Sequence, residues 1–408
     1  MKNVNSIRHI DIDDYDYFLP EERIAQYPAK ERDNSKLLVY NKGIISEDRF
    51  RNICEYLPED SLLVLNNTRV IRARIIFHKD TGADIEVFCL EPLSPCEYEQ
   101  SFSSRDSVEW KCIVGNLKKW KRGTLSAEFD FNGCKYNLYA QKVRAEGESW
   151  RILFSWNATG ISFGEVIEAV GRIPLPPYVK RDDEHEDYSR YQTIYSTTRG
   201  SVAAPTAGLH FTKEVLDHLY NKGIKSIELT LHIGAGTFQP VRARNILQHE
   251  MHSEHFLVTG SALEGLILNK KKIIAAGTTS VRALESLYWL GVKVISDQSN
   301  ADSELFIGQF EHYYLPQEVS VQKSLESLVQ LIKKRNTTFL HASTKIMILP
   351  GYDFRVINGM ITNFHQPKST LLLLISGWVG SDWRNIYRFA LENDFRFLSY
   401  GDSSLLIK

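Results

Sequence analysis

The stretch IIAAGTTSVRALESLYWL, residues 273–290, combines a short apolar run, a polar turn that begins with glycine, and an amphipathic segment. The run Ile273 to Ala276 predicts a buried strand, and Val281, Leu284 and Tyr288 follow it at helical spacing. In sheets whose strands alternate with helices, ligands bind beyond the carboxyl ends of the strands. The stretch therefore predicts an α/β core with a functional loop between this strand and its helix.

Two further parts of the chain repeat this layout. Residues 227–233 predict a strand that leads into a glycine-containing loop, and residues 361–364 predict a strand followed by a loop with Pro367. One helix is predicted from Thr370, and another after Thr212, a residue type that caps helices. The chain from about residue 156 onward is therefore predicted to be an α/β domain whose loops gather at one edge of a sheet.

Residues 79–155 have a different character. Apolar and polar residues alternate in short runs, as at Ile85, Val87 and Cys89, and glycines separate these runs. Because alternation is typical of strands and no helical period is convincing here, the segment predicts a small antiparallel β domain of barrel type. The main domain then comprises residues 1–78 and 156–408.

Residues 296–343 are predicted to be an insertion in the main domain. Leu325, Leu328 and Ile332 repeat at helical spacing and indicate one amphipathic helix. The basic run Lys333 to Arg335 ends that helix, and the rest of the segment is polar or aromatic.

The charge balance excludes some classes of protein. Lys and Arg number 49 and Asp and Glu number 50, for a formal net charge of −1. This excludes a strongly basic nucleic-acid-coating protein and an acidic disordered chain, but it leaves room for a local basic patch. A nucleic-acid partner therefore stays open at this point.

The N-terminal residues and the cysteines give information about the cellular compartment. Residues 1–14 are polar and contain no apolar signal core, and the apolar stretch at 370–380 is too short to span a bilayer. The chain has five cysteines, an odd number without a close pair, which is typical of reduced thiols. The sequence predicts a cytoplasmic protein that does not enter a membrane.

Four loops of the α/β part carry the reactive residue types. They are residues 203–212, 231–238, 277–282 and 363–370, and three of them contain a histidine. Hydroxyls and a helix N-terminus at 277–282, with Arg282 one turn further, suit an anion such as a carboxylate. The structural alternatives are capped turns with core histidines and a solvated Arg282. Because four such loops occur in one domain, a shared pocket is the simpler interpretation.

The segment His249 to His255 admits a metal-binding interpretation. Zinc proteases place two histidines four residues apart on a helix with a glutamate between them, whereas His249, His252 and His255 are spaced by three. Acid–base or hydrogen-bonding roles for His252 and Glu254 fit the spacing better, and no metal is expected. The 231–238 loop likewise lacks the third glycine of a dinucleotide-binding fingerprint.

Two basic stretches are candidates for RNA contact. Lys118 to Arg122 contains Trp120, and Arg69, Arg72 and Arg74 lie in a strand-like segment. Basic residues beside an aromatic ring suit a phosphate backbone with a stacking base. A solvated, lysine-rich turn is the alternative.

Taken together, these loops resemble the S-adenosylmethionine:tRNA ribosyltransferase-isomerases of queuosine biosynthesis. The resemblance covers nearly the whole chain in order, and its motifs are long. The matching segments are residues 16–17, 19–21, 66–70, 174–178, 190–193, 202–212, 230–241, 251–254, 277–286, 362–370 and 397–402.

The resemblance implies a reaction and a fold. The ribosyl part of S-adenosylmethionine, a co-substrate, is transferred to 7-aminomethyl-7-deazaguanine at the wobble position of tRNA. The product is epoxyqueuosine, and adenine and methionine are released. The implied fold is a barrel-like α/β main domain that carries a small antiparallel β-barrel domain, in agreement with the patterns above.

The resemblance and the loop chemistry together suggest roles for individual residues. His210 or His252 is expected to remove a proton next to the sulfonium, with Glu254 assisting, because histidine titrates near working pH. Arg282 with Thr278 and Thr279 is expected to hold the methionine carboxylate. The expected substrate-binding residues are Asn67, Arg69, Thr206, His232, Gly236, Thr237, Thr278, Thr279, Arg282, Asn363 and His365. The expected RNA-binding residues are Arg72, Lys118, Lys119, Trp120, Lys121 and Arg122.

Some positions depart from the family pattern. Arg72 replaces the usual proline, Gln366 replaces a leucine, and Gly82-Ala83 replaces paired glycines. None of these changes removes an expected catalytic residue. A non-catalytic or retargeted paralogue that binds RNA or an adenosyl ligand stays open as the alternative, and a metal-dependent hydrolase is a third hypothesis.

Overall fold

The computed structural model describes residues 10–79, 81–234, 241, 243–269, 272–296 and 304–408. Two large sheets organise this part of the chain, one of ten strands and one of six, and two further strands form a small third sheet. The strands of the described residues are β1 Lys36–Asn41, β2 Ile44–Arg49, β3 Leu62–Asn66, β4 Thr68–Val70, β5 Arg74–His78, β6 Asp84–Ser94, β7 Ser107–Val114, β8 Leu125–Phe131, β9 Cys134–Glu146, β10 Ser149–Trp156, β11 Thr198–Ser201, β12 Lys225–His232, β13 Glu254–Thr259, β14 Ile273–Ala276, β15 Phe306–Ile307, β16 Phe339–Thr344, β17 Gly359–Asn363 and β18 Ser403–Ile407.

The helices of the described residues connect these strands or cover the sheets. They are α1 Ile53–Tyr56, α2 Tyr98–Ser103, α3 Phe163–Val170, α4 Asp187–Arg190, α5 Lys213–Asn221, α6 Gly260–Leu268, α7 Thr278–Ser296, α8 Val321–Lys334, α9 Thr370–Val379 and α10 Trp383–Glu392. Within the described ranges, no helix is both long and apolar enough to cross a membrane.

The ten-stranded sheet is the centre of the main α/β unit. Its order is β15-β16-β13-β12-β3-β14-β17-β18-β1-β2, with parallel pairing from β12 through β3 and β14 to β17. Leu62 and Val64 of β3 face one hydrophobic core, and Leu63 and Leu65 face another. Side chains of a strand alternate between its faces, so this run is apolar throughout because both faces of the sheet are covered.

The strand–turn–helix layout predicted from residues 273–290 is confirmed. The strand β14 is completely buried, and α7 begins at Thr278 directly after Gly277, whose φ of +95° is a conformation that favours glycine. The other predicted repeats are also present, since β12 and β17 are strands, Thr212 caps α5 and Ser369 caps α9.

The six-stranded antiparallel sheet is a separate, barrel-like unit. Its order is β5-β6-β7-β10-β9-β8, and β5 also lies close to β8, so the sheet nearly closes on itself. The predicted inward residues Ile85, Val87 and Cys89 are fully buried. The predicted fold class, an α/β main unit with a small antiparallel β-barrel-like unit, is confirmed.

The small unit uses residues outside 79–155, the range predicted for it. Strand β5 precedes residue 79, and Phe163, Val166 and Ile167 of α3 share the core of the six-stranded sheet. The range also contains the helix α2, which the sequence analysis did not anticipate. A helix of six residues buries only one turn, here Ser101 and Phe102, and is too short to show a period.

The segment 296–343, predicted to be an insertion, is built into the main unit where it is described. Strand β16 pairs with β13, and Leu325 and Leu328 of α8 belong to the same hydrophobic core as Leu284 of α7. Gly291 permits this packing, because a Cβ there would lie 2.2 Å from the backbone oxygen of Ser324. The segment therefore supports the strand on which Glu254 lies.

Candidate active site

The predicted shared pocket exists at the carboxyl ends of β14 and β17. It is an open cavity of about 1090 Å³, counted with the solvent at its mouth. The predicted site residues that line it are Thr206, His252, Glu254, Thr278, Thr279, Arg282, Asn363 and His365.

A buried ion pair forms one wall of this cavity. Arg282 Nη1 lies 2.5 Å from Glu254 Oε2, and the two residues are 5% and 1% exposed. Arg282 Nε also donates to the backbone oxygen of Ile346. Burial acts to raise the pKa of Glu254, but the Arg282 guanidinium and then His252 outweigh it, and the pKa is lowered. Glu254 is therefore a carboxylate, and the alternative of a solvated Arg282 is wrong.

Three polar atoms beside this ion pair have no hydrogen-bond partner in the described part of the chain. They are Nη2 of Arg282, Oε1 of Glu254 and Nε2 of His252, and all three are buried. His252 Nε2 is 3.6 Å from Glu254 Oε1, which is longer than a hydrogen bond. Since buried polar groups in proteins are normally paired, the three atoms form a donor–acceptor set for a polar ligand.

His210 lies behind the cavity wall. Its Nδ1 is 2.7 Å from Ser35 Oγ and its Nε2 is 3.2 Å from Asn363 Nδ2. Ser35 Oγ donates to the backbone oxygen of Arg32, so we infer that His210 Nδ1 carries the proton and that Nε2 accepts from Asn363. Burial, and then the charges of Arg396 and Arg32, lower the pKa of His210 to about 3.

Asn363 connects this histidine to the cavity. Its Oδ1 accepts a hydrogen bond of 2.8 Å from the hydroxyl of Thr206, and both residues line the cavity. His210, in contrast, is not among the residues that line it. Its contact with the cavity is therefore indirect, through the side chain of Asn363.

The loop after β17 adds a second buried histidine. His365 Nε2 is 2.9 Å from the hydroxyl of Thr362, and the hydroxyl of Tyr17 donates to the His365 backbone oxygen. Burial lowers the pKa of His365 to about 3. The ring is therefore neutral, and it contributes hydrogen bonding rather than charge to the cavity.

The first turn of α7 brings two hydroxyl side chains to the cavity. Thr278 and Thr279 line it together with Gly277, and the backbone N–H of Gly277 donates to Ile361 of β17. The hydroxyl of Ser280 donates to the Ala276 backbone oxygen and faces away from the ligand space. Thr278, Thr279 and Arg282 are thus grouped as the sequence predicted.

Other predicted substrate residues lie elsewhere. Asn67 is held by Glu228 and Thr230. His232 stacks on Tyr98 of the small unit at a centroid distance of 4.3 Å, and burial lowers its pKa to about 3. The His232–Tyr98 contact joins the two units, and neither Asn67 nor His232 lines the main cavity. Gly236 and Thr237 lie outside the described residues.

A cleft between the two units contains the arginines near position 70. Arg69, Arg72 and Arg199 line it, with Arg72 stacked over the ring of Tyr188 at 4.2 Å and Arg199 paired with Glu168. Arg69 is exposed to solvent. The predicted RNA-binding Arg72 is therefore close to Arg69, but both are separate from the main cavity.

The basic turn of the small unit is only partly as predicted. Lys118, Lys119, Lys121 and Arg122 are exposed, but Trp120 is completely buried. Its Nε1 donates to the Gly123 backbone oxygen, and the Lys142 ammonium lies over its ring at 5.2 Å. The expectation that Trp120 stacks on a base is therefore wrong, because its ring fills the core of the small unit.

The sequence analysis did not assign some residues that line the cavity. Tyr178 and Ser399 face each other there with their hydroxyl oxygens 2.7 Å apart, and His249 lines the same space. Tyr178 and Ser399 could have been found from the sequence, because both lie in segments that match the family motifs. The pKa of His249 is lowered, first by burial and then by His252.

The metal hypothesis rested on His249, His252 and His255. Within the described ranges, no group of three or more His, Cys, Asp and Glu side chains is placed to hold a metal ion. His255 is exposed on β13, whereas Glu254 next to it is buried, since neighbouring side chains of a strand point to opposite faces. The three histidines therefore do not converge on one point.

The fold and the cavity define an α/β protein with a buried Glu254–Arg282 ion pair in a cavity at the ends of its strands. A family model described as queuosine biosynthesis protein matches residues 12–315 and 318–406. The chain belongs to this family.

Curated relatives carry a more specific name. The S-adenosylmethionine:tRNA ribosyltransferase-isomerases of Halothermothrix orenii and Thermosipho melanesiensis are each 37% identical to this chain, over 97% of it and 99% of the relative. A solved S-adenosylmethionine tRNA ribosyltransferase from Thermotoga maritima is 26% identical with a TM-score of 0.45, over 96% of this chain and 99% of that one. The family relationship confirms the resemblance, and the alternative of a non-catalytic paralogue is not favoured.

Proposed function

We propose that this chain transfers the ribosyl part of S-adenosylmethionine to 7-aminomethyl-7-deazaguanine at the wobble position of tRNA. The products are epoxyqueuosine in the tRNA, adenine and methionine. The observation that carries this proposal is the set of unpartnered buried atoms on His252, Glu254 and Arg282 in the cavity at the strand ends. These atoms suit acid–base chemistry, and the curated relatives are named as ribosyltransferase-isomerases.

The cavity suits S-adenosylmethionine as a co-substrate. Nη2 of Arg282 is a cationic donor with no hydrogen-bond partner among the described residues, and Thr278 and Thr279 line the same cavity. Such donors suit a carboxylate. When bound, S-adenosylmethionine supplies a sulfonium that acidifies the adjacent C5′ protons and the ribosyl group for transfer. Arg282 then orients the methionine end while Glu254 holds Arg282 in place.

His252 is the better placed of the two histidines proposed as the base. Its side chain is 34% exposed at the cavity, and Nε2 has no partner in the described part of the chain. The Glu254 carboxylate at 3.6 Å stabilises the imidazolium that forms when His252 accepts a proton. His210 is buried behind Asn363, so its proposed role is to fix Asn363 and the hydroxyl of Thr206.

The tRNA partner is proposed to contact basic side chains outside the cavity. Lys118, Lys119, Lys121 and Arg122 form an exposed turn, and Arg69 with Arg72 lies in the cleft between the units. These are local patches in a chain of near-zero net charge, which suits a partner that must be released after each turnover. Because tRNA is the proposed partner, the proposed location is the cytoplasm.

The direct test is turnover with defined substrates. Purified protein is incubated with S-adenosylmethionine and tRNA that carries the aminomethyl-deazaguanine base, and release of adenine and methionine is measured. His252→Ala is expected to lower kcat by about 10²- to 10⁴-fold, the contribution of a general base. His218→Ala removes an exposed histidine of α5 and serves as the matched control. Absence of release by folded wild-type protein would refute the proposed function.

A further inference from the structure

A second, smaller cavity lies behind the active-site wall. Its volume is about 280 Å³ with the adjoining solvent, and Ser399 lines both it and the main cavity. Three arginines line the smaller cavity: Arg32, Arg190 and Arg396. Among the described residues that line it, there is no Asp or Glu.

Neutral groups hold two of these arginines in place. The Nη atoms of Arg32 donate to the backbone oxygens of Ser189, Gln192 and Leu209. Those of Arg190 donate to the backbone oxygens of Ala29 and Lys30. Carbonyl oxygens fix the direction of a guanidinium but do not neutralise its charge.

Arg396 is the least constrained of the three. Its Nη1 donates to the backbone oxygen of Tyr27 over 3.3 Å, and Nη2 is 3.6 Å from Asp402. The Asp402 carboxylate already accepts from the backbone N–H groups of Lys36 and Arg396. The three guanidinium groups therefore share at most one nearby carboxylate among the described residues.

Two further features of these arginines agree with an excess of positive charge in the cavity. Nε of Arg190 is buried and has no hydrogen-bond partner within the described ranges. Burial, and then the neighbouring Arg190 charge, lower the pKa of Arg32 to about 10. By contrast, Arg181 nearby makes two short hydrogen bonds to the Asp187 carboxylate. An oxyanion in the cavity would relieve the repulsion between the guanidinium groups.

We propose that this arginine cavity, lined by Arg32, Arg190 and Arg396, binds a backbone phosphate of the RNA substrate. The inference rests on the proposed function, since it takes tRNA as the partner. The carboxylate of S-adenosylmethionine has its own donors at Arg282, on the other side of the wall formed by Ser399 and Asn363. A phosphate beside this wall would fix the nucleotide whose base enters the main cavity, because phosphate contacts set the register of a nucleic acid.

The test uses Arg396→Gln in the full chain, because Arg32 and Arg190 each hold several backbone oxygens and their replacement would disturb the fold. KM for tRNA is expected to rise about tenfold and KM for S-adenosylmethionine to stay within about twofold. The salt dependence of tRNA affinity is expected to weaken by about one unit of slope. Arg396→Lys, which keeps the charge, should restore part of the affinity. Arg388→Gln removes the same charge from an exposed position of α10 and is the matched control.

A second measurement separates this proposal from the proposed function. Inorganic phosphate at constant ionic strength should raise the melting temperature of the wild type but not that of Arg396→Gln. If the wild type turns over and Arg396→Gln leaves both KM for tRNA and the salt slope unchanged, the phosphate assignment to RNA is wrong while the function stands. If the wild type shows no turnover, the proposed function fails. In that case, an increase in melting temperature with phosphate that depends on Arg396 would still support an anion site in the arginine cavity. If phosphate gives no such increase, the anion site is wrong as well.

Discussion

The carboxylate of Glu254 and the guanidinium of Arg282 form a buried ion pair with 2.5 Å between Oε2 and Nη1. Glu254 is the first residue of β13, and Arg282 lies in the second turn of α7. Each residue also has one polar atom without a hydrogen-bond partner in the described structure. The pair can therefore stabilise the fold and also bind a ligand.

Glu254→Gln should affect both stability and turnover. The substitution leaves the Arg282 charge buried without its partner, which typically costs about 3–5 kcal/mol of unfolding free energy. We expect a lower urea midpoint and a decrease in adenine release of at least about 10²-fold, comparable to the removal of a general acid–base group. Glu264→Gln, at an exposed position of α6, should change neither quantity. A urea midpoint equal to that of the wild type would contradict the structural role of the ion pair.

His210 should make stability depend on pH. Its pKa is about 3 in the folded chain because it is buried and faces Arg396 and Arg32, whereas an unfolded histidine has a pKa of about 6.5. Below pH 6.5 the unfolded chain binds a proton that the folded chain excludes. The unfolding free energy should therefore fall as pH falls, by up to about 1.4 kcal/mol per pH unit for this residue.

This pH dependence is measured by urea unfolding at several pH values between about 6.5 and 4.5, the range in which an unfolded histidine gains its proton. His210→Asn should show a shallower decline than the wild type. His218→Ala, at an exposed position, should give a curve parallel to that of the wild type. If the stability curve of His210→Asn is also parallel to that of the wild type, His210 is protonated in the folded chain, which contradicts its lowered pKa.

The basic turn of the small unit should contribute charge but no stacking to RNA binding. Lys121→Gln with Arg122→Gln is expected to reduce the slope of log affinity for tRNA against log salt by about one unit for each phosphate that the turn no longer neutralises. Lys213→Gln with Lys225→Gln removes the same charge from exposed positions elsewhere and should leave the slope unchanged. If both double variants show the same slope of log affinity against log salt, this turn does not contact the RNA.

Gly291→Ala should test how firmly α8 belongs to the main core. An added Cβ would lie 2.2 Å from both the backbone oxygen and the hydroxyl of Ser324, so the two helices must separate. We expect a decrease of about 1–3 kcal/mol in unfolding free energy, even though alanine favours helices over glycine. Gly265→Ala in α6 meets its nearest neighbour at 3.4 Å and should be neutral or stabilising. Equal stability of Gly291→Ala and the wild type would contradict the observed α7–α8 packing.

Local patterns predicted the elements well. The run Ile273 to Ala276 is a strand because four apolar residues need cover on both faces, and Gly277 ends it because the backbone turns there with a positive φ. The alternation at Ile85, Val87 and Cys89 similarly specified a β unit with those residues inside. These predictions succeeded because they depend on neighbours in the chain.

Burial and long-range contacts could not be predicted in the same way. Trp120 lies in a basic, polar run, yet it fills the core of the small unit, because burial depends on which strands fold over it. His210 and His252 both lie in histidine-containing segments, but only His252 reaches the main cavity. The arginine cavity draws on Arg32, Arg190 and Arg396, which are more than 150 residues apart in sequence.

The sequence by itself therefore determined the α/β class, the small β unit, the family and the loops that carry reactive residues. All of these depend on local periodicity and on contiguous motifs, which can be read directly from the chain. Only the tertiary structure decided which of those residues meet. The order of the ten-stranded sheet places β13 so that Glu254 reaches Arg282 of α7, and it separates His210 from the ligand space by Asn363. Distances between residues far apart in the chain follow from strand order and core packing, which no single stretch of sequence contains.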